Sequence, residues 1–146
     1  MSNLSNYLSD LEAELTSKTV KVGWFPSSVY PDGETVAFVA LQNELGDPAK
    51  KIPPRPFIRP TIQAQKDKWV ANIGSMIKTG MAAKDVLELT ALSMQADIHK
   101  AIIDVETPEL AKRTLDARKA RGNSNESPLN DTGYMLATLI GTVEDK

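Results

Sequence analysis

Apolar side chains recur every three or four positions at the start of the chain, which is the spacing of one face of a helix. They are Leu4, Tyr7, Leu8, Leu11 and Leu15. Asp10, Glu12 and Glu14 fall outside this stripe, where a helix would turn them toward water. The pattern predicts an amphipathic helix over residues 1–18.

Alternation with a period of two follows this helix. Val20, Val22 and Trp24 share one side of an extended chain, and Lys21 and Gly23 share the other. Such alternation is typical of a half-buried strand, which we expect over Val20–Phe25. The segment "LIGTVED" near the end of the chain predicts a second strand, and we expect the two strands to pair in one small sheet.

Helical spacing dominates the rest of the chain. In "TVAFVALQNEL" the residues Val36, Phe38 and Val39 favour a strand and the residues after them favour a helix; Gly46, with a proline soon after it, suits a helix end, so we predict a helix that ends there. A second helix should run from an N-cap at Thr61 to Gly80. The next predicted helix, residues 82–105, is apolar on two sides, so it is either central to the core or shared with a neighbouring subunit. Core packing is favoured. Thr107 and Pro108 suit the start of a short basic helix. The segment "LNDTGYMLATL" predicts a last short helix.

These elements predict one domain of the α+β class over residues 1–146, with several helices packed on a small antiparallel sheet. The exception to regular structure is the segment 47–60, which we expect to be an extended, proline-rich arm. Proline cannot continue a helix or donate to a sheet, and it pushes the preceding residue out of the helical region.

The arm is predicted to bind a neighbouring molecule. A stiff proline-rich segment loses little conformational entropy on binding, and its carbonyl groups can accept hydrogen bonds. Phe57 and Ile58 could fill a pocket, while Arg55 and Arg59 could each bind a carboxylate. The predicted partner interface consists of Ile52, Pro53, Pro54, Arg55, Pro56, Phe57, Ile58 and Arg59. The alternative is a rigid linker that covers the core of its own domain.

The composition limits the kinds of catalytic and metal site that the chain can form. The chain has no cysteine and a single histidine, His99, so zinc sites and histidine-based catalytic triads lack their usual residues. No glycine-rich nucleotide motif occurs, and no apolar run approaches the ~20 residues of a membrane-spanning helix. We therefore expect no catalytic residues, no cofactor, no metal and no membrane association.

One tripeptide, Asp131-Thr132-Gly133, also carries the catalytic aspartate of aspartic proteases. Those enzymes need apolar strands on both sides of the tripeptide, whereas a helix-like "YMLATL" follows it here. We expect Asp131 or Thr132 to cap that helix instead.

Net charge is −2, with a sequence pI of about 5.4, so the whole chain has no basic excess for a phosphate backbone. Basic residues nevertheless cluster in residues 50–68 and in residues 112–121. The second cluster suggests an alternative function, that of a non-enzymatic adaptor that contacts nucleic acid.

The order of these signals resembles a tailed-bacteriophage family, the tail-completion or neck proteins of the minor tail protein Z-like group. The resemblance covers about residues 20–145. It rests on "ELG" at residues 44–46, "PPRPF" at 53–57 with Arg59, "TL" at 114–115 with Arg118 and Gly122, and "PL" at 128–129 with "DTG" at 131–133. Leu45 and Thr138 depart from the aromatic residue and the serine that are usual there.

The resemblance implies a structural virion protein without enzymatic activity. It would form a ring, of six or twelve subunits by resemblance, at the neck or the head-proximal end of the tail. Its neighbours would be the head connector or adaptor and the tail tube or tail terminator proteins. DNA would pass through the lumen without specific binding, and the ring would be assembled in the host cytoplasm.

Overall fold

A computed structural model describes residues 3–146 as six helices and two strands. In chain order they are α1 (Asn3–Ser17), β1 (Lys18–Gly23), α2 (Val36–Leu45), α3 (Ile58–Lys78), α4 (Ala83–Asp104), α5 (Lys112–Ala120), α6 (Tyr134–Thr138) and β2 (Ile140–Asp145). The helices pack on a small antiparallel sheet, so the α+β prediction is confirmed. Residues 1 and 2 of the predicted first helix lie outside the described part.

The sheet joins the two ends of the described chain. Val20 lies opposite Val143, and the N–H of Lys146 donates to the carbonyl of Ser17 at 2.9 Å. Hydrogen-bonded and non-hydrogen-bonded pairs alternate in an antiparallel ladder, so the backbone groups of Val20, Val22 and Gly141 point away from the partner strand.

Helix α4 blocks part of the outer edge of β2. The outward N–H of Gly141 donates to the side-chain oxygen of Gln95 on α4, at 2.7 Å. Gly141 also lies against Ala91, because a Cβ at position 141 would come within 2.5 Å of the Ala91 carbonyl oxygen. Glycine is therefore required here by close approach of two backbones.

The core lies between the inner faces of α2, α4 and α6. Its buried members are Val36, Ala40, Phe57, Ile98, Ile102, Leu129, Met135 and Leu139. Trp24 packs edge-on against Phe57, with ring centroids 6.1 Å apart, and its indole N–H donates to the Met135 carbonyl. The only phenylalanine buried among the described residues thus comes from the proline-rich segment.

Helix α4 is central, as favoured from the sequence, but only one side of it is covered. Ile98 and Ile102 are buried, whereas Leu89, Leu92 and Ile103 on the opposite side remain exposed. The two-sided pattern therefore combines a core face with a face that the rest of residues 3–146 leaves open.

Several predicted boundaries were wrong. The first strand is shifted two residues toward the N-terminus, and α3 begins at Ile58 rather than after Thr61, so residues 58–60 are helical and not extended. Helix α5 begins at Lys112, several residues after the predicted start at Thr107–Pro108. Within residues 3–146, no helix is both long enough and apolar enough to cross a membrane.

Candidate assembly site: the proline-rich segment and its anchors

The two central side chains of the predicted interface are buried in their own chain. Phe57 is 1% exposed and Arg55 is 5% exposed. In the described conformation neither side chain can reach a partner without leaving the core, so their docking role stays a prediction that the single chain does not test. The cause is that both find complete surroundings within the domain, as the linker alternative proposed.

Glu44, near the end of α2, holds the segment from one side. Its buried carboxylate accepts hydrogen bonds from three successive backbone N–H groups, those of Phe57, Ile58 and Arg59, at 2.7, 2.9 and 3.1 Å. The Arg59 side chain adds a fourth bond at 2.9 Å. These N–H groups open α3, so Glu44 caps a helix that starts fourteen residues further along the chain.

These contacts also set the ionisation of Glu44. Burial would raise the pKa of its carboxyl, but the N–H groups of Ile58 and Phe57 and the contacts from Arg59 outweigh burial. The pKa of Glu44 is therefore below its ordinary value. The charged form is the one that the fold stabilises.

Arg55 holds the segment from the other side. Its guanidinium donates to the carbonyls of Pro108 and Glu109, at 2.5 and 2.9 Å, in the connection between α4 and α5. Burial, together with the nearby charge of Arg118, lowers the pKa of this guanidinium from its ordinary value. Arg55 thus ties two irregular segments of the same chain together, rather than binding a carboxylate.

A tight turn leads into the segment. Asp47 and Ile52 exchange two backbone hydrogen bonds at 2.9 Å, so residues 47–52 fold back on themselves. Gly46 has a φ of 77°, and a Cβ there would come within 2.9 Å of Pro54. The predicted glycine end of α2 is confirmed, and the close approach gives a second reason for glycine.

The remaining residues of the predicted interface divide into two groups. Ile52, Pro53 and Ile58 are half-buried, whereas Pro54, Pro56 and Arg59 are exposed. Nothing in the single chain tests whether they contact a partner. The exposed group can still contribute to an interface, but only as the rim of a surface that other residues must form.

A second anchor lies in the basic cluster. Arg118 is 4% exposed, and its guanidinium donates to the carbonyls of Asn125 and Ser127 at 2.8 Å, with longer contacts at Pro128 and Asn130. It therefore organises the loop before α6.

Ion pairs occupy most of the other basic residues in this cluster. Lys112 pairs with Asp116 at 2.7 Å, and Arg121 pairs with Asp131 at 2.9 Å. Lys119 lies 3.8 Å from Glu126. Among the cations of residues 112–121, Arg113 is the one for which the described chain provides no acidic partner.

The side chains of the Asp-Thr-Gly tripeptide accept hydrogen bonds from neighbouring residues of the same chain. The Asp131 carboxylate accepts bonds from Arg121 and Asn123, so it does not cap α6. The Thr132 hydroxyl accepts the N–H of Tyr134, the first residue of that helix, at 3.3 Å. Of the two capping predictions, the one for Thr132 agrees with this contact.

An open cleft of about 280 Å³ lies beside the tripeptide. Tyr30, Asp32, Glu34, Asp131 and Tyr134 are among its lining residues. Burial, followed by the charges of Asp131 and Asp32, raises the pKa of the Tyr30 hydroxyl. Within residues 3–146, no group of three or more histidine, cysteine, aspartate or glutamate residues is placed to hold a metal ion.

Sequence reasoning missed Glu44 and Arg118 as structural residues. A signal existed for Glu44, which is charged and falls at a position of α2 that faces the core, whereas Arg118 is itself the one buried residue of α5. Glu44 is two turns from Val36 and one turn from Ala40, both of which are buried. Charged residues in a core-facing position are rarely buried without partners.

Comparison with known proteins found no significant match for this chain among family models, curated proteins or solved structures.

Proposed function

We propose that this chain is a structural virion protein that forms a ring at the neck, or at the head-proximal end of the tail, of a tailed bacteriophage. In this role it completes the tail and joins it to the head. It acts by packing against copies of itself and against the head connector or adaptor and the tail tube or terminator, without catalysis.

The observation that carries this proposal is that the separate motifs of the resemblance contact one another. Glu44 of "ELG" binds the backbone of Phe57, the last residue of "PPRPF", and of Arg59, the arginine that follows this motif. Arg118 binds the carbonyl of Pro128, and its Nε lies 3.4 Å from Asp131. Motifs that are paired in space define one fold, so they support a common architecture better than scattered similarities would.

The surface supports an assembling protein. Apolar residues of α1, α2 and α4 are exposed in rows, although the core is complete without them. Such rows mark contact surfaces more often than isolated apolar residues do. The net charge of −2 suits a ring through which DNA passes without binding, because a mildly acidic wall does not retain phosphate groups.

The alternative, a nucleic-acid adaptor, has less support. It needs available cations in residues 112–121, and the fold engages four of the five in carbonyl contacts or ion pairs. A band-shift assay at about 50 mM salt favours phosphate contacts most strongly. A shift that disappears in the Arg113→Ala variant would favour the adaptor over the ring.

Particle assembly without this protein tests the proposal. We expect filled heads and tails that stay unjoined, or tails of abnormal length, when particles from an infection lacking it are imaged by negative stain. Addition of the purified protein should restore joined particles. Normal, infectious particles formed without the protein would contradict the proposal.

A further inference from the structure

Strand β2 is held without any buried side chain of its own. Each of the six helices contributes at least one buried residue, whereas no residue of β1 or β2 is buried. Two ion pairs join the strands, Lys18 with Asp145 and Lys21 with Glu144, but their side chains are between 33% and 82% exposed. Exposed ion pairs contribute little to stability. The backbone ladder is therefore the main attachment of β2.

The packing of β2 on the helix beside it is also incomplete. An open cleft of about 330 Å³ lies between β2 and α4, with Leu92 and Val143 among its lining residues. A single residue, Leu139, connects the strand to α6. Leu139 and Met135 are both buried, so α6 stays in the core even if β2 turns away from it.

The place that β2 occupies is nevertheless selective for this strand. A Cβ at position 141 would come within 2.5 Å of the Ala91 carbonyl oxygen, so a strand in this place needs glycine there. The N–H of that glycine donates to Gln95, and the register aligns the acidic residues of β2 with the lysines of β1. The occupant that fits is therefore β2 of this chain, from the same copy or from a second one.

Strand exchange between copies is compatible with these contacts, whereas strand addition beside β2 is not. Gln95 and Ala91 of α4 already occupy the outer edge of β2. In an exchange the arriving β2 forms the same ladder, ion pairs and Gln95 contact that the departing strand formed, so few contacts are lost. An extended strand of this length spans about 20 Å, which is enough to cross the boundary between two touching subunits.

We propose that β2 of each copy pairs with β1 of the next copy in the ring, instead of with β1 of its own chain. Every copy then gives one strand and receives one, so the contact is head-to-tail. Repetition closes into a ring when the rotation between copies suits. This inference rests on the proposed function and names the element that links the subunits of its ring.

Disulfide trapping tests the exchange, because the chain has no cysteine of its own. Val20 and Val143 lie opposite each other, so Val20→Cys with Val143→Cys brings two thiols to bridging distance wherever β1 and β2 pair. The full chain carrying both changes is purified, concentrated, oxidised with copper phenanthroline and separated on a denaturing gel. We expect a ladder of covalent species that extends beyond the dimer.

The other arrangements give different products. Closure within one chain would yield only monomers with an internal disulfide, and reciprocal exchange between two copies would stop at the dimer; either result would overturn the inference. The matched control, Val20→Cys with Ala137→Cys, moves one thiol to an exposed position of α6. It should give roughly tenfold less of the ladder, because its thiols are not opposed across the strands and meet only by collision.

A mixture of two single-cysteine chains tests whether the exchanged strand takes the place of the original one. A tagged Val20→Cys chain and an untagged Val143→Cys chain are unfolded in urea, mixed, refolded and oxidised, and we expect a mixed dimer. Gly141→Ala in the second chain should lower its yield about tenfold, since the added Cβ meets the Ala91 carbonyl. An unchanged yield would mean that the strands meet elsewhere, which contradicts exchange.

The particle assay keeps this inference separate from the proposed function. Unjoined heads and tails in the absence of the protein, together with internal disulfides alone, would leave the neck role standing and remove only the strand exchange. Normal particles in its absence, together with the covalent ladder, would establish the exchange and remove the neck role.

Discussion

The proline-rich segment is attached to the domain more firmly than helix α1 is, although the sequence predicts an extended arm for the first and a regular helix for the second. The segment 47–57 lacks regular structure, yet Glu44 and Arg55 tie it down with hydrogen bonds, and Phe57 enters the core. Helix α1 is regular along its whole length, yet Leu11 is its one buried side chain among residues 3–17. Regular structure and firm attachment are therefore separate properties in this molecule.

The difference has a physical cause. Proline removes backbone donors, so a proline-rich segment needs fewer partners than other chains before it can be buried. Its stiffness also lowers the entropy lost on folding. A helix, by contrast, satisfies its own backbone and needs no neighbour for that purpose. It can project from the body with part of its apolar stripe exposed to a partner.

Removal of the Phe57 ring should have the largest effect. Phe57→Ala empties a fully covered site in the core, and we expect a loss of about 3–5 kcal/mol in the free energy of unfolding. Urea denaturation measures it. Phe38→Ala is the matched control, because Phe38 is exposed on α2, and it should cost under about 1 kcal/mol. Similar losses for both variants would mean that the segment is not anchored in the core.

Neutralisation of Glu44 should have the next largest effect. Glu44→Gln keeps the shape of the side chain but removes the charge that accepts four hydrogen bonds, so we expect a loss of about 2–3 kcal/mol at pH 7. The control is Glu12→Gln on exposed α1, which should leave monomer stability within about 0.5 kcal/mol of the original.

The lowered pKa of Glu44 predicts that the stability lost in the Glu44→Gln variant depends on pH. The pKa of Glu44 is lower in the folded chain than its ordinary value of 4.5. The charged carboxylate therefore makes its full contribution to the free energy of unfolding above pH 4.5. It is lost as pH falls below 4.5 and through the folded pKa. The difference in unfolding free energy between the original chain and Glu44→Gln should therefore shrink in acid. A constant difference from pH 7 to pH 3 would contradict the charged cap.

The smallest effect on stability is expected on α1. Leu8→Gln replaces an exposed side chain, so the unfolding free energy of the monomer should change by under about 0.5 kcal/mol. Urea denaturation measures the change, with Phe57→Ala as the variant that should show the large effect. A large loss of monomer stability would show that Leu8 packs within its own domain, and would remove the contrast with Phe57.

Periodicity was sufficient to predict most of the elements. The α2 helix with its end at Gly46, the long α4 helix and the antiparallel pairing of the two strands all follow from local patterns of apolar residues, glycine and alternation. These features depend on neighbours in sequence, so a local pattern contains the information.

Features that depend on distant partners were not predicted. Helix α3 begins before Pro60 because the Glu44 carboxylate, fourteen residues from Ile58, binds its first N–H groups. The surroundings of Phe57 and Arg55 were not predicted for the same reason. The sequence identifies Phe57 and Arg55 as distinctive, but only the fold reveals that the core and the Pro108–Glu109 carbonyls take them up.

The contact between Gly141 and α4 limits how copies of this chain can stack. Two-stranded sheets tend to lengthen by adding a strand from a neighbour, a route that ends in fibres when it repeats without closure. Gln95 already occupies the outward N–H of Gly141, and the Ala91 backbone stands beside it. A polymer joined strand to strand through this edge would have to displace α4 at every step.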